Sequence, residues 1–185
     1  MSTRDIGLIA LFAAVIVAFG FIPAIPLGFI PVPITLQTLG VMLAGLVIGP
    51  KRGAAACLVV IALVAIGLPV LSGGRGGLGV FAGPTAGFLF GWVPGAYLAG
   101  LIAELFDRPG RGLLTRFIGL LVGAVVGGIV AVYALGILWL TFVTGLPFAK
   151  AALGSATFLI GDGVKAIVAA LVALKVGDAM SIKRV

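Results

Sequence analysis

The chain has 185 residues, of which 62% are hydrophobic and only 9% are charged. A soluble domain is typically about 45–50% apolar and about 25% charged, so this chain cannot cover its surface with polar groups in water. Its net charge of +7 comes from short clusters of Lys and Arg between apolar segments, a pattern that orients membrane proteins and does not indicate nucleic-acid binding. The composition predicts one integral membrane domain over residues 1–185 and no soluble domain.

Apolar segments recur along the chain and predict an all-α protein of six transmembrane helices. The predicted helices are 6–22, 36–49, 54–71, 84–103, 113–142 and 151–176. A helix over 36–49 would rise roughly 21 Å, which is less than the roughly 30 Å of a bilayer's hydrocarbon core. Another part of the chain must therefore complete that crossing.

The segment between the first two predicted helices, residues 23–33, contains four prolines and no charged residue. Proline removes backbone donors and disfavours helix before it, so this segment should be extended or re-entrant. Irregular backbone at membrane depth is tolerated only where protein or a cavity satisfies it. We expect a capping segment over a cavity, with Phe29 helping to close it, and an ordinary loop is the alternative.

The Lys and Arg residues alternate between the two sides of the predicted helices. With the N-terminus inside, nine lie on the cytoplasmic side: Arg4, Lys51, Arg52, Arg108, Arg111, Arg116, Lys175, Lys183 and Arg184. The outer side receives Arg75 and Lys150, and Lys165 falls inside the last helix. This alternation predicts a multi-pass membrane protein with both termini in the cytoplasm.

Asp162 and Lys165 lie inside the last predicted helix. Ionisable groups there cost at least roughly 2.5–3.5 kcal/mol each on insertion scales, so they should face the protein interior. Three residues apart, they share a helix face and can present a carboxylate and an ammonium to one cavity. The alternative is a structural ion pair that locks two helices, although such pairs often add little stability.

The glycine-rich loop 72–79 formally matches the dinucleotide pattern G-x-G-x-x-G. We reject that function because the pattern requires a preceding strand and a following helix, whereas this loop joins membrane segments. Its glycines allow a close approach of the backbone to a ligand, and Arg75 is its only charge. Arg75 is therefore a candidate ligand-binding residue, with a solvated loop residue as the equal alternative.

The sequence argues against an enzyme. It contains no His, its five acidic residues form no pair with catalytic spacing, and it has no phosphate-binding loop for ATP. We expect no cofactor or metal. Phe81, Phe88 and Trp92 could wall an apolar pocket above Asp162 and Lys165, or they could face lipid, as Trp often does at a membrane interface.

Two predicted helices carry small residues at every fourth position. Ala10, Ala14 and Ala18 form a stripe in the first, and glycines at 119, 123 and 127 form one in the fifth. Such stripes let helices approach closely in a bilayer. We favour packing within the chain for the glycine stripe, whereas the alanine stripe is open to a partner.

Four sequence blocks carry a resemblance to a known family: Pro31 to Gly45, Gly49 to Gly53, Ile66 to Val70 and Gly76 to Thr85. They closely resemble the BioY family, whose members are biotin-binding S subunits of energy-coupling factor (ECF) transporters. The resemblance extends over roughly residues 5 to 175. It implies six helices, a substrate pocket that opens outwards, and coupling to a transmembrane T subunit and ATP-binding subunits.

The resemblance also implies residue roles. Asp162 and Lys165 would belong to the biotin pocket, and Ala10 and Ala14 would contact the T subunit. Biotin suits the inventory, because Asp162 can accept from its ureido N–H groups while Lys165 or Arg75 pairs with its carboxylate. A homo-oligomer in the membrane is a further possibility.

Two other functions remain open from the sequence. One is a small proton-coupled or exchange transporter, in which Asp162 is the titrating group and Lys165 its counter-ion. The other is a structural membrane subunit that assembles partners through its small-residue stripes and binds no solute.

Overall fold

The computed structural model describes residues 1–106 and 110–180, with the backbone alone for 178–180. This part of the chain forms seven α-helices, a short 3-10 helix at Leu78–Ala82 and no β-strand. The α-helices are α1 Thr3–Gly20, α2 Gln37–Ile48, α3 Pro50–Ala65, α4 Ala86–Phe106, α5 Leu113–Thr144, α6 Phe148–Ala156 and α7 Leu159–Met180. The all-helical prediction is confirmed, and the count differs from the predicted six.

The seventh helix arises because the segment predicted as one helix over 151–176 is broken. α6 ends at Ala156, α7 begins at Leu159, and the two helices meet at 53°. The backbone N–H of Phe158 bonds back to the Ser155 carbonyl at 3.0 Å, which closes the turn between them. Among the described helices α1, α4 and α5 are long and apolar enough to cross a membrane, and α6 with α7 forms a bent fourth candidate.

The short helix α2 lies at the centre of the molecule. Every residue of α2 except Thr38 is buried, and it packs against α1, α3, α4 and α7. A helix enclosed in this way does not face lipid, so it need not match the bilayer thickness. At its end Gly49 takes a φ of 85°, a conformation that favours glycine, and the chain turns directly into α3 at Pro50.

α5 packs along α4 through its glycine stripe. A side chain at Gly127 would collide with the carbonyl oxygen of Gly95, and one at Gly123 would lie 2.8 Å from the carbonyl oxygen of Ala99. Gly119 lies against the ring of Phe106. The prediction that this stripe packs within the chain is confirmed.

A wide π-helical turn at Val126–Ala131 interrupts α5. Up to Gly127 the glycines that face α4 are spaced four apart. Beyond the turn Val132 faces α4, with its Cα 2.8 Å from the position of a Cβ at Gly91. The step from 127 to 132 is five residues, so the turn absorbs one extra residue. Every residue beyond it is consequently shifted by one position relative to an unbroken α-helix.

The proline-rich segment folds back on itself and covers one end of the helices. Ile25 and Ile34 exchange two backbone hydrogen bonds of 2.9 Å, and between them Ile30 and Val32 are buried. The Ile30 side chain lies against Gly154 of α6, where a Cβ would be 2.5 Å from it. This geometry fits the predicted capping segment.

The opposite end of the molecule carries an ion pair between the first and third helices. Arg52 Nε donates to Asp5 Oδ1 at 2.7 Å, which joins the beginnings of α1 and α3. Arg111 lies over the ring of Phe106, which is close to it in the sequence. Of the predicted cytoplasmic cations, Arg108, Lys183 and Arg184 lie outside the described residues.

Candidate functional site

A cavity opens between the proline-rich segment and helices α2, α4, α5 and α7. The space between its walls is about 620 Å³, counting the part that opens outwards. Its walls combine apolar surface with polar side chains. The polar residues that line it are Thr35, Gln37, Thr38, Arg75, Thr85, Tyr133, Asp162 and Lys165.

Asp162 and Lys165 lie together in this cavity, as the sequence predicts. Asp162 occupies the first turn of α7, where the helix dipole favours a negative charge. Lys165 Nζ donates to Asp162 Oδ1 at 2.8 Å, and both residues are at least nine-tenths buried. Their enclosure explains how the protein accommodates two ionisable groups in an apolar helix.

The ammonium of Lys165 has its full set of acceptors. Besides Asp162, it donates to the carbonyl oxygen of Thr35 at 2.5 Å and to Thr38 Oγ1 at 3.0 Å. A lysine ammonium has three donors, and these three contacts use all of them. Lys165 therefore fixes α7 against the beginning of α2.

The second oxygen of Asp162 is held by Tyr133 of α5, whose hydroxyl donates to Oδ2 at 2.5 Å. Thr38 adds a donation to Oδ1 at 3.2 Å. The carboxylate thus receives donors from three helices and has a defined orientation. Oδ1 accepts from both Lys165 and Thr38, whereas Oδ2 accepts from Tyr133 alone among the described residues. Oδ2 therefore has a lone pair left for a donor in the cavity.

Arg75 reaches the same cavity from the glycine-rich loop. Its Nε donates to the Ser72 carbonyl at 3.2 Å and its Nη1 to Thr85 Oγ1 at 3.1 Å. Burial lowers the pKa of the Arg75 guanidinium, but arginine remains charged at neutral pH. Its two partners in the described part of the chain are neutral, so its charge is available to an anion.

Gln37 fixes the loop that carries Arg75. Its amide donates to the carbonyl oxygens of Ile16 at 3.2 Å and Val70 at 3.1 Å, and its oxygen accepts from the Ser72 N–H at 3.0 Å. Gln37 is 2% exposed and joins α1, α2 and the loop at one point. This connection sets the position of Arg75 at the cavity.

Aromatic rings form the apolar part of the wall. Phe88, Tyr133 and Phe158 pack edge to face in a cluster with centroid distances of 6.1 to 6.4 Å. Trp92 is 5% exposed and also lines the cavity. Trp92 could have lain in the pocket wall or faced lipid, and the structure places it inside the protein.

The sequence matches the family model of the BioY family over residues 1–182. The chain belongs to the BioY family. The match covers α1 to α7 and therefore every residue of the cavity.

Curated relatives agree with this family assignment. The chain is 58% identical to the biotin transporter BioY of Rhizobium etli, over 92% of this chain and 91% of that protein. It is also 58% identical to the biotin transporter BioY of Rhodobacter capsulatus, over the same shares of the two chains.

A solved structure matches the fold. It is the crystal structure of the S-component for biotin from an ECF-type ABC transporter, with a TM-score of 0.87 and 33% identity. The match covers 96% of this chain and 95% of that one. The fold of this BioY chain is therefore that of a membrane transport subunit.

Two aromatic residues named from the sequence lie outside the cavity wall. Phe29 is 61% exposed and borders a neighbouring depression on the proline-rich segment, which shares Arg75, Val32 and Pro33 with the cavity. Phe81 stacks on Phe90 at 5.8 Å instead. The structure thus does not bring Phe29 into contact with the interior of the site.

The alanine stripe lies on the outside of the molecule. Ala10, Ala14 and Ala18 are all exposed, whereas Ala13 and Ile16 of the same helix are buried. α1 therefore has one face packed against the protein and a small-residue face that is free in this chain. That arrangement is compatible with a helix partner and with lipid.

Three residues that hold Asp162 and Lys165 in place were not predicted from the sequence: Thr35, Thr38 and Tyr133. Each is a hydroxyl-bearing residue next to or within an apolar segment, and that signal was present in the sequence. Pairing them with Asp162 requires knowledge of which helices are neighbours. The register of Tyr133 depends on the wide turn at Val126–Ala131, which periodicity alone does not reveal.

Proposed function

We propose that this chain is the biotin-capturing S subunit of an ECF-type uptake transporter. The observation that carries the proposal is the placement of two groups on the walls of one cavity: the buried carboxylate of Asp162, and the guanidinium of Arg75, which has no acidic partner among the described residues. Biotin has the matching groups, namely ureido N–H donors at one end and a carboxylate at the other. The biotin transporters among its relatives support this assignment.

The donors already in use favour one orientation for biotin. All three donors of Lys165 are engaged, whereas Arg75 uses two of its five N–H groups on the described residues. Arg75 is therefore the cation that can bind the ligand carboxylate without giving up a contact. The ureido ring then lies against Asp162, while Lys165 stays paired with that carboxylate.

The apolar body of biotin, its thioether ring and aliphatic chain, would lie between these two ends. Phe88, Trp92 and Phe158 supply apolar surface there. A ligand pocket of this kind gains affinity from buried apolar contact and specificity from a few polar groups. Capture of a scarce vitamin requires nanomolar affinity, or about 12 kcal/mol, which a mostly dry site can supply.

The proline-rich segment would act as the cover of the site. Val32 and Pro33 line the cavity, and Ile30 anchors the segment on α6. Phe29, at the rim beside Arg75, is positioned to close over a bound ligand. Entry from outside the cell then requires the cover to move while α2, α4 and α7 stay packed.

Transport requires partners, since the chain itself has no phosphate-binding loop. We infer docking of a T subunit on the exposed stripe of Ala10, Ala14 and Ala18, with ATP-binding subunits attached to it. The chain would lie in the bacterial cell membrane with both termini in the cytoplasm, as the alternation of Lys and Arg predicts. The same stripe would serve a homo-oligomer if copies of the chain associate.

Equilibrium binding of radiolabelled biotin to the protein in lipid nanodiscs tests the ligand assignment. We expect saturable nanomolar binding that unlabelled biotin displaces, while riboflavin and thiamine do not. Binding of either of those vitamins with equal affinity, or no saturable binding of biotin, would contradict the proposal.

A further inference from the structure

The hydroxyl of Tyr133 is the one donor to Asp162 that comes from α5. It contacts Oδ2 at 2.5 Å, while the other donors, Lys165 and Thr38, both contact Oδ1. Without Tyr133, the described residues would hold the carboxylate through a single oxygen. A carboxylate bound at one oxygen can rotate about its terminal bond, which is a soft torsion.

Tyr133 is itself held in place. Its ring packs edge to face against Phe88 at 6.1 Å and against Phe158 at 6.3 Å, and only 9% of it is exposed. Phe158 immediately precedes α7, so the cluster joins α5 to the beginning of the helix that carries Asp162. The ring therefore has little freedom to follow a moving carboxylate.

The wide turn in α5 sets the register of this contact. Because the turn at Val126–Ala131 absorbs one extra residue, Val132 faces α4 and Tyr133, one residue further, faces α7. In an unbroken helix the same chain would be rotated by about 100° at this point, and Tyr133 would lose its contact with Asp162. π-turns of this kind occur frequently at functional sites.

We propose that Tyr133 is a positioning residue for ligand recognition: it fixes the Asp162 carboxylate in the orientation that receives a ureido N–H group. This inference rests on the proposed function and adds to it, since Tyr133 acts through Asp162. The hydroxyl need not bind the ligand. Its contribution is to remove the rotational freedom that Asp162 would otherwise lose when the ligand binds.

The test compares the affinities of Tyr133→Phe and of the unmodified protein for a set of related ligands. The change removes the hydroxyl and keeps the ring in its aromatic cluster, so the fold should persist. Biotin, biotin amide and two lactam analogues, in each of which one ureido N–H is replaced by CH2, are measured by competition with radiolabelled biotin. Tyr97→Phe on the half-exposed face of α4 is the matched control, because it removes the hydroxyl of the other tyrosine in the chain.

We expect Tyr133→Phe to lower the affinity for biotin roughly 2- to 10-fold, the range for ordering one additional side chain on binding. The affinity for biotin amide should fall by the same factor, because its ureido ring is unchanged. The affinity for at least one lactam analogue should fall far less. That analogue already lacks the N–H group whose contact with Asp162 depends on Tyr133. Tyr97→Phe should leave all four ligands unaffected.

Equal losses for biotin and both lactam analogues would mean that Tyr133 has only a general packing role, and the inference would be wrong. Unchanged affinity for biotin in Tyr133→Phe would also overturn it. Both results leave the proposed function intact, since they require that biotin binds the unmodified protein. Failure of the unmodified protein to bind biotin would instead refute the proposed function.

Discussion

Asp162 and Lys165 lie one turn apart on α7, with Asp162 Oδ1 2.8 Å from Lys165 Nζ inside the helical bundle. Their charges compensate each other locally, so the cavity retains one cation without an acidic partner in the described residues, Arg75. An anionic ligand would complete this charge balance. The structure thus distinguishes two cations that the sequence could not: Lys165 has an acidic partner, and Arg75 has none among the described residues.

Replacement of Asp162 by Asn should weaken biotin binding by about 1–3 kcal/mol or more, because a charged acceptor is removed from a buried polar site. The measurement is the Kd in nanodiscs. Asp5→Asn is the control, since Asp5 pairs with Arg52 at the other end of the molecule and should not affect the Kd. If Asp162→Asn binds biotin as the unmodified protein does, Asp162 is not part of the ligand site.

The membrane topology can be tested with single cysteines in a Cys57→Ala background. A probe at Lys51, in the first turn of α3, should react with an impermeant thiol reagent only from the cytoplasm. A probe at the exposed Leu78, in the loop region that carries Arg75, should react only from outside. Labelling of Lys51→Cys in intact cells would reverse the proposed orientation.

Gly127→Ala should destabilise the bundle, because the new Cβ would collide with the carbonyl oxygen of Gly95 and force α4 and α5 apart. Overpacking of this kind costs about 1–3 kcal/mol. Gly7→Ala is the matched control in α1, where nothing lies within 4 Å of the added Cβ. Thermal unfolding in detergent should show a lower Tm for Gly127→Ala alone, and equal Tm values would mean that the two helices do not pack this closely.

Substitution of Ala10 and Ala14 by Leu should separate capture from transport. The larger side chains would fill the exposed face of α1 on which we propose that the T subunit docks, while the cavity around Asp162 stays intact. Biotin binding should persist, and ATP-dependent uptake should fall steeply in cells that contain the complete transporter. A parallel decline in binding and uptake would show that this face of α1 does not serve docking. A proton-coupled transporter would show no separation of biotin binding from uptake in this variant.

The helical class and the main ionisable pair could be predicted from the sequence, because both follow from local hydrophobicity and from the cost of burying charge. The break between α6 and α7 could not. Residues 151–176 remain apolar on both sides of Thr157, so hydropathy gives no signal where the helix turns by 53°. The prediction of six helices missed this break.

Long-range relationships were likewise beyond the sequence. Gln37 and Thr38 lie in an apolar segment, but their partners Ser72 and Asp162 lie 35 and 124 residues further along the chain. Which of these contacts forms depends on how the helices pack. The sequence predicts the groups that need partners, and the fold decides which partners they receive.

The most direct test of the account is calorimetric titration of the purified protein with biotin and with its descarboxyl analogue, repeated on Arg75→Gln. The unmodified protein should bind biotin tightly and the analogue weakly, by about 1.5–3 kcal/mol for the lost charged contact. In Arg75→Gln that difference should nearly disappear, because the cation that recognises the carboxylate is absent. Equal affinity of the unmodified protein for both compounds, or an unchanged difference in Arg75→Gln, would contradict the central claim that Arg75 binds the biotin carboxylate.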